Sequence, residues 1–288
     1  MAELVEIAGA GLAAAINPLG AELTSLRDAG GRELMTDADP AFWTGHAPIL
    51  FPIVGRLNGD LLRLDGRDYP MKQHGFARRQ AFDLIAHDDA TARFRLTAND
   101  ETLASYPFDF ALDVAFSLRE ATLAIDVTVS NRGDAPMPAS LGFHPAFAWP
   151  LPYGRPRGEH RITFDAAEPG DIVALDNGLF AATRPSPLDG RTLHLADDLF
   201  ADDALIWDPV RSPGVTYGAD AGPRLRVTFP DTPYLGIWTK PGAAFVCIEP
   251  WHGHADPAGF TGDFRDKPGV FTVAPGEAWR RGIAITLA

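Results

Sequence analysis

A single cysteine, Cys247, in 288 residues leaves no partner for an internal disulfide and argues against a cysteine-built zinc or iron–sulfur centre. Basic residues are scarce beside acidic ones, 25 Lys and Arg against 38 Asp and Glu, for a formal net charge of −13. Nucleic acids and anionic membrane surfaces are held by basic surface, so neither is an expected partner. No uncharged apolar stretch reaches the roughly 18 residues of a transmembrane helix. The opening MAELVEIAGAGLAAAINP carries Glu3 and Glu6 but no Lys or Arg, the opposite of a secretory n-region, so a cytoplasmic protein is expected. Helical periodicity is missing too. No Gly- and Pro-free segment of roughly 12 residues repeats apolar positions at helical spacing. The 28 glycines and 25 prolines interrupt the chain too often for long helices.

What is present is alternation. Leu123, Ile125, Val127 and Val129 fall on one face of 122–130. Ala92, Phe94 and Leu96 do the same in 91–98, Leu225, Val227 and Phe229 in 224–229, and Ile283, Ile285 and Leu287 near the C-terminus. Period-two runs of this kind mark half-buried antiparallel strands, and the continuous run Phe245–Ile248 suits a strand buried on both faces. Hydrophobic residues at 46% and charged at 22% can build a large core without covalent staples. The expected architecture is one all-β domain over 1–288, two large packed sheets. A barrel or propeller is the competitor, and no blade repeat of roughly 40–50 residues supports a propeller. Short helical turns are expected at 38–44 and 256–264.

Gly9-Ala-Gly11-Leu-Ala-Ala14 fits a dinucleotide fingerprint, but Asn17-Pro18 stops the helix that such a site requires. Four other places carry chemistry. His74, in Gln73-His-Gly-Phe-Ala-Arg78-Arg79, sits in a loop beside a glycine that permits close backbone approach; it is either a site histidine or a solvated one. His144, before Pro145 in an apolar stretch, is an extended strand-end residue, either a satisfied core histidine or a functional one. Glu249 ends the apolar run before Pro250. A buried carboxylate must be paired or have a raised pKa, which fits a structural ion pair or an active site. Trp251 nearby offers a ring for the C–H face of a sugar. Arg56, Asp202 and Asp203 also lie in apolar or Gly-rich context. His252-Gly-His254 lacks a convincing third ligand, so no metal is expected. Arg78 and Arg79 are either solvated or placed to bind a phosphate.

Taken together, six words resemble the aldose 1-epimerase (galactose mutarotase-like) family, in its order and across nearly the whole chain. They are Asn17-Pro-Leu-Gly-Ala-Glu-Leu23, Phe51-Pro-Ile-Val-Gly-Arg56, Gln73-His-Gly-Phe-Ala-Arg78, Leu141-Gly-Phe-His-Pro145, Asp202-Asp-Ala-Leu-Ile206 and Ile248-Glu-Pro-Trp251. The likeness is to its LacX-like branch of shorter bacterial proteins. The resemblance implies a galactose mutarotase-like β-supersandwich that interconverts the α and β anomers of an aldohexose or related aldose. It implies Glu249 as general base, His144 as general acid and His74 as the second active-site histidine. It further implies Arg56 as a substrate-binding arginine and Asp203, or its neighbour Asp202, as the carboxylate holding sugar hydroxyls. Gly55-Arg56 stands where galactose mutarotases carry Asn-Arg, so galactose itself is not implied.

Ring opening of a pyranose removes a proton from O1 and adds one to O5. It therefore needs an acid and a base, expected as an imidazolium and a carboxylate on opposite sides of the ring. No redox step occurs, so neither cofactor nor metal is expected; the expected partner is a small-molecule sugar and the expected state a monomer or weak homodimer. Competing readings are a non-catalytic carbohydrate-binding or regulatory module, a mutarotase of sugar phosphates, and a glycoside hydrolase using Glu249 and Asp203.

Overall fold

The computed structural model describes residues 3–288; residues 1 and 2 of the expected 1–288 domain lie outside the described residues. The alternating segments become Thr91–Thr97, Thr122–Asn131, Leu225–Thr228 and Ala278–Leu287, all in one antiparallel sheet of nine strands. Thr122–Asn131 lies between Phe110–Arg119 and Ala278–Leu287, in continuous register along its length. Its inward residues Leu123, Ile125, Val127 and Val129 are all buried. Hydrophobic burial of that face holds the strand in register, because a one-residue slip would turn the whole row to solvent.

The second large sheet runs in the order Leu179–Pro185, Asp171–Asp176, Leu205–Trp207, Tyr234–Trp238, Phe245–His252, Leu141–Phe143 and Ile49–Leu50, with Ala146–Ala148 also paired to Phe245–His252. Its inner face packs on the first sheet. Leu235, Ile237, Val246 and Ile248 join the common core, and Phe164 of the first sheet meets Trp207 of the second at 4.8 Å between ring centroids. The result is the expected two-sheet β-sandwich. The outer face of this second sheet carries the cleft described below.

Gly9 and Gly11 belong to the turn of an antiparallel hairpin, Val5–Ala8 with Leu12–Asn17, rather than to a phosphate-binding helix start. The turn expected at 38–44 is a single one, in which the amides of Phe42 and Trp43 donate to the Asp39 carbonyl. The stretch 256–263 is a loop with one turn at Pro257–Phe260, because Pro257, Gly259 and Gly262 interrupt it, and a 3₁₀ turn, Phe264–Asp266, starts only at its end. A short helix not expected from periodicity, Asp100–Ser105, is fixed by a capping box between Asn99 and Thr102.

Candidate active site

Glu249 lies in the middle of Phe245–His252, not at its end: the strand continues through Pro250, which pairs with Leu235. Alternation along this strand separates two surfaces. Val246 and Ile248 enter the core between the sheets, while Phe245, Cys247, Glu249 and Trp251 project to the outer face. Leu141–Phe143 pairs with the same strand through Gly142 and Trp251, and Ala146–Ala148 pairs with it again through Cys247. His144 lies between these two short strands. Its Nε2 is therefore held 3.1 Å from Oε2 of Glu249, with both side chains buried. Trp43 stacks on the His144 ring at 4.9 Å and 28°, and Trp238 meets the same ring edge-on at 6.0 Å.

His74 approaches from the opposite wall, its ring perpendicular to His144 at 5.8 Å. The neighbouring Gly75 has φ +71°, and a Cβ there would lie 2.1 Å from the Phe51 carbonyl oxygen; only glycine permits this approach. His74 itself is left-handed, at φ +66°, an uncommon conformation for a non-glycine residue. Its backbone N–H donates to the Gly55 carbonyl at 2.9 Å. The Gly55 N–H in turn donates to Nδ1 of His74 at 3.1 Å. A ring that accepts at Nδ1 carries its proton on Nε2 when neutral; Nε2 lies 3.2 Å from the side-chain amide of Gln73, which accepts that proton only with its oxygen, not its nitrogen, turned to the ring.

The electrostatics favour neutral forms. Burial, reinforced by the charge of Asp203, raises the Glu249 carboxyl well above its usual range, with the Trp251 indole lowering it somewhat. That indole N–H closes no hydrogen bond of ordinary geometry. Burial also takes His144 down to about 3, with Arg78 pushing in the same direction, and takes His74 well below its ordinary value, helped by His144, Arg78 and Arg79. The expected carboxylate–imidazolium pair is thus, at rest, a carboxylic acid beside a neutral imidazole, one proton held by two groups. The two groups are in direct contact rather than on opposite sides of an empty space.

These residues floor and wall a cleft of about 790 Å³, within the range of small-ligand sites. Glu249, His144, His74, Arg78, Asp203 and Trp251 all line it, as does Asp202. Asp203 is the carboxylate whose charge reaches Glu249, whereas Asp202 is 87% exposed and stands 4.0 Å from Arg184. Trp251 is buried in the floor, and Gly142 and Gly236 make room for its ring: a Cβ would come within 2.8 and 2.5 Å of the indole. Arg56 pairs with Asp60 at 2.9 Å and donates to the carbonyl of Asn177, a residue of the cleft wall, so in this structure it stands at the edge of the cleft, behind that wall. The i,i+4 placement of Asp60 captures it. Arg78, half-buried, lines the cleft and has no carboxylate within salt-bridge distance among the described residues.

Sequence reasoning missed Trp43, Trp238, Asn177, Gly178, Phe180 and Lys240, which complete the walls; a loop tryptophan near Gly45 and a strand-end tryptophan near Pro241 were the available signal. The rings of His252 and His254 have separate aromatic neighbours: His252 packs on Trp279 and His254 stacks on Phe180. The ligand atoms of His144, Cys247 and Glu249 lie within 4.8 Å of one another. The His144–Glu249 contact already uses two of them.

A family profile described as Aldose 1-epimerase matches residues 3–280. The chain is 32% identical to the chromosomal protein LacX of Lactococcus lactis subsp. lactis, over 98% of this chain and 99% of that protein. Among solved structures, a galactose mutarotase related enzyme from Lactobacillus acidophilus superposes with a TM-score of 0.94 at 33% identity, covering 99% of this chain and 97% of that one. A galactose mutarotase-like protein from Lactobacillus casei ATCC 334 gives 0.92 at 31% identity, covering 99% and 100%.

Proposed function

Because the chain belongs to the aldose 1-epimerase family, we propose that it interconverts the α and β anomers of an aldose, with Glu249 and His144 as its proton-transfer pair. The observation that carries this reading is the buried contact of 3.1 Å between the two at the floor of a sugar-sized cleft. Ring opening begins from the carboxylate–imidazolium form of the pair. Glu249 takes the O1 proton, His144 gives its proton to O5, the C1–O5 bond breaks, and O1 becomes the aldehyde oxygen. The pair is left as carboxylic acid and neutral imidazole, the form that burial favours at rest. After rotation about C1–C2 the steps reverse: Glu249 returns its proton to the aldehyde oxygen while His144 takes the proton of the 5-hydroxyl, and the ring closes on the other face. One pair therefore serves both directions without a second proton source.

His74, with its proton directed from Nε2, donates a hydrogen bond to a ring or hydroxyl oxygen. Asp203 accepts from sugar hydroxyls, and its negative charge keeps the proton on Glu249 when the site is empty. Trp43 holds the His144 ring in plane by stacking. A second reading concerns the substrate. Arg78 is a half-buried cation lining the cleft, with no carboxylate in salt-bridge contact among the described residues and only the more distant negative charge of Glu22 acting on it, and it supports an aldose carrying a phosphate or carboxylate. Exchange NMR between α and β anomers across neutral aldoses, uronic acids and aldose 6-phosphates tests both. Faster exchange than buffer, lost in Glu249→Gln, is the expected result. No acceleration with any of them, alongside measurable sugar binding, would instead favour a carbohydrate-binding module; release of free sugar from aryl glycosides would favour a hydrolase.

A further inference from the structure

Behind the cleft, outside the proton-transfer pair, lies a buried ion pair. Lys267 has a side chain with no exposed surface and stands 3.4 Å from Oδ1 of Asp256, itself only 3% exposed. The Lys267 ammonium also donates to the His254 carbonyl. Burying two charges is costly unless the pair is well held and does something that apolar residues would not. Here the pair ties together the loops that carry two cleft walls. Oδ2 of Asp256 accepts the Asn58 backbone N–H at 2.8 Å, and the Asp256 N–H donates to the Arg56 carbonyl at 2.8 Å. The Asp256 carbonyl accepts from Phe180 N–H at 2.9 Å, and the Phe180 ring stacks on His254 at 4.2 Å. Gly55 packs on Ala255 so closely that a Cβ would lie 2.6 Å from it. Gly55 is the residue whose backbone N–H fixes the His74 tautomer.

We propose that Lys267, through Asp256, is a positioning residue for His74 and for the Phe180 wall: it clamps the 254–258 loop against 55–58, and that clamp aims the His74 ring. Lys267 touches no substrate. The inference rests on the epimerase reading only for its kinetic readout.

Two variants test it. Lys267→Met with Asp256→Asn removes both charges and leaves neither uncompensated in the interior. Asn58→Pro removes the N–H that Asp256 accepts. Asn58 opens a short 3₁₀ turn and follows an extended Leu57, a position that proline tolerates; the variant also removes the side-chain donations to the Pro257 and Phe260 carbonyls, so it cuts three ties between the two loops while leaving both Lys267 and Asp256 in place. The readouts are the long-range ¹H–¹⁵N spectrum of the His74 ring, mutarotation kinetics and the melting temperature. In both variants the single Nε2–H tautomer of His74 gives way to a mixture. kcat falls tenfold or more, and by more than KM rises, since small misplacements of a reacting group are expensive. A lowered melting temperature with a wild-type His74 spectrum and kcat would show that the clamp is merely structural and overturn the proposal. If the paired variant does not fold, Asn58→Pro decides alone. If the wild-type protein turns over no aldose, the epimerase reading fails, and the His74 spectrum still decides the clamp.

Discussion

Replacing Glu249 by Gln keeps the side chain's shape and removes its titratable carboxyl. The amide can still hydrogen-bond to His144 across the 3.1 Å contact, because it both donates and accepts. The floor of the cleft therefore stays in place and sugar binding survives. General acid–base catalysis contributes about 10²–10⁴-fold, or about 2.7–5.4 kcal/mol at about 1.36 kcal/mol per tenfold, and kcat is expected to fall by that factor. His144→Gln has a comparable effect, and the double variant is no worse than either single one, since half of the pair cannot work alone. The pH profile carries a second signature. The pair must hold one proton, so turnover declines on the acid side only as pH approaches the His144 value of about 3. On the alkaline side it declines as pH rises through the raised Glu249 pKa. The same shifts govern stability. A carboxyl raised on folding from its usual 4.5 contributes stability that is fully present below that unfolded value and lost as pH rises through the folded one. Glu249→Gln therefore gains on the wild type in melting temperature as pH rises above about 4.5. The assay is polarimetry on freshly dissolved α-aldose, corrected for spontaneous mutarotation, with calorimetric sugar binding in parallel. Near-normal kcat in Glu249→Gln would refute the proton-transfer role and the mechanism built on it.

Asp203→Asn is expected to raise KM more than it lowers kcat and, by removing the charge that helps raise Glu249, to move the alkaline limb to lower pH; a large fall in kcat at constant KM would place Asp203 in proton transfer. Trp43→Ala removes the ring stacked on His144, worth about 0.5–1.5 kcal/mol, so kcat should drop roughly 2- to 13-fold; unchanged kinetics would show that His144 is held by its backbone alone. Gly236→Ala places a Cβ 2.5 Å from the Trp251 ring; overpacking of this kind costs about 1–3 kcal/mol, visible as a lower melting temperature and weaker sugar binding. Treatment with EDTA should leave turnover unchanged, and loss of activity restored by a divalent ion would show that a metal takes part.

The sandwich was legible because its strands advertise themselves. Thr122–Asn131 alternates without a break, and its inward residues from Leu123 to Val129 are all apolar, so period two marked both the strand and its buried face. The helix Asp100–Ser105 escaped because it is too short for periodicity and is made by its cap, although Asn99 followed by two acidic residues was a readable start signal. Glu249, His144 and His74 stood out as titratable groups in apolar or glycine-rich context. Their mutual arrangement did not. The contact between Glu249 and His144 depends on two separate short strands pairing with one long strand, a register that no local pattern encodes. Arg56 shows the opposite case: its expected role came from resemblance, while Asp60, four residues along, was a partner readable in the sequence. Trp43 and Asn177 reach the cleft from loops, whose return path in space leaves no periodic trace.

The alternation along Phe245–His252 has an evolutionary consequence. One face of the strand belongs to the core between the sheets, so its backbone can shift little without disturbing the interior. The other face presents Glu249, which inherits that immobility. The cleft's rim, by contrast, is supplied by separate loops around residues 42, 177, 203 and 240. Insertions and substitutions in those loops can change which sugar fits while the reactive floor keeps its geometry. A scaffold divided in this way lets new ligand preferences be sampled at little risk to the floor, and the loops are the place to begin when changing what the cleft accepts.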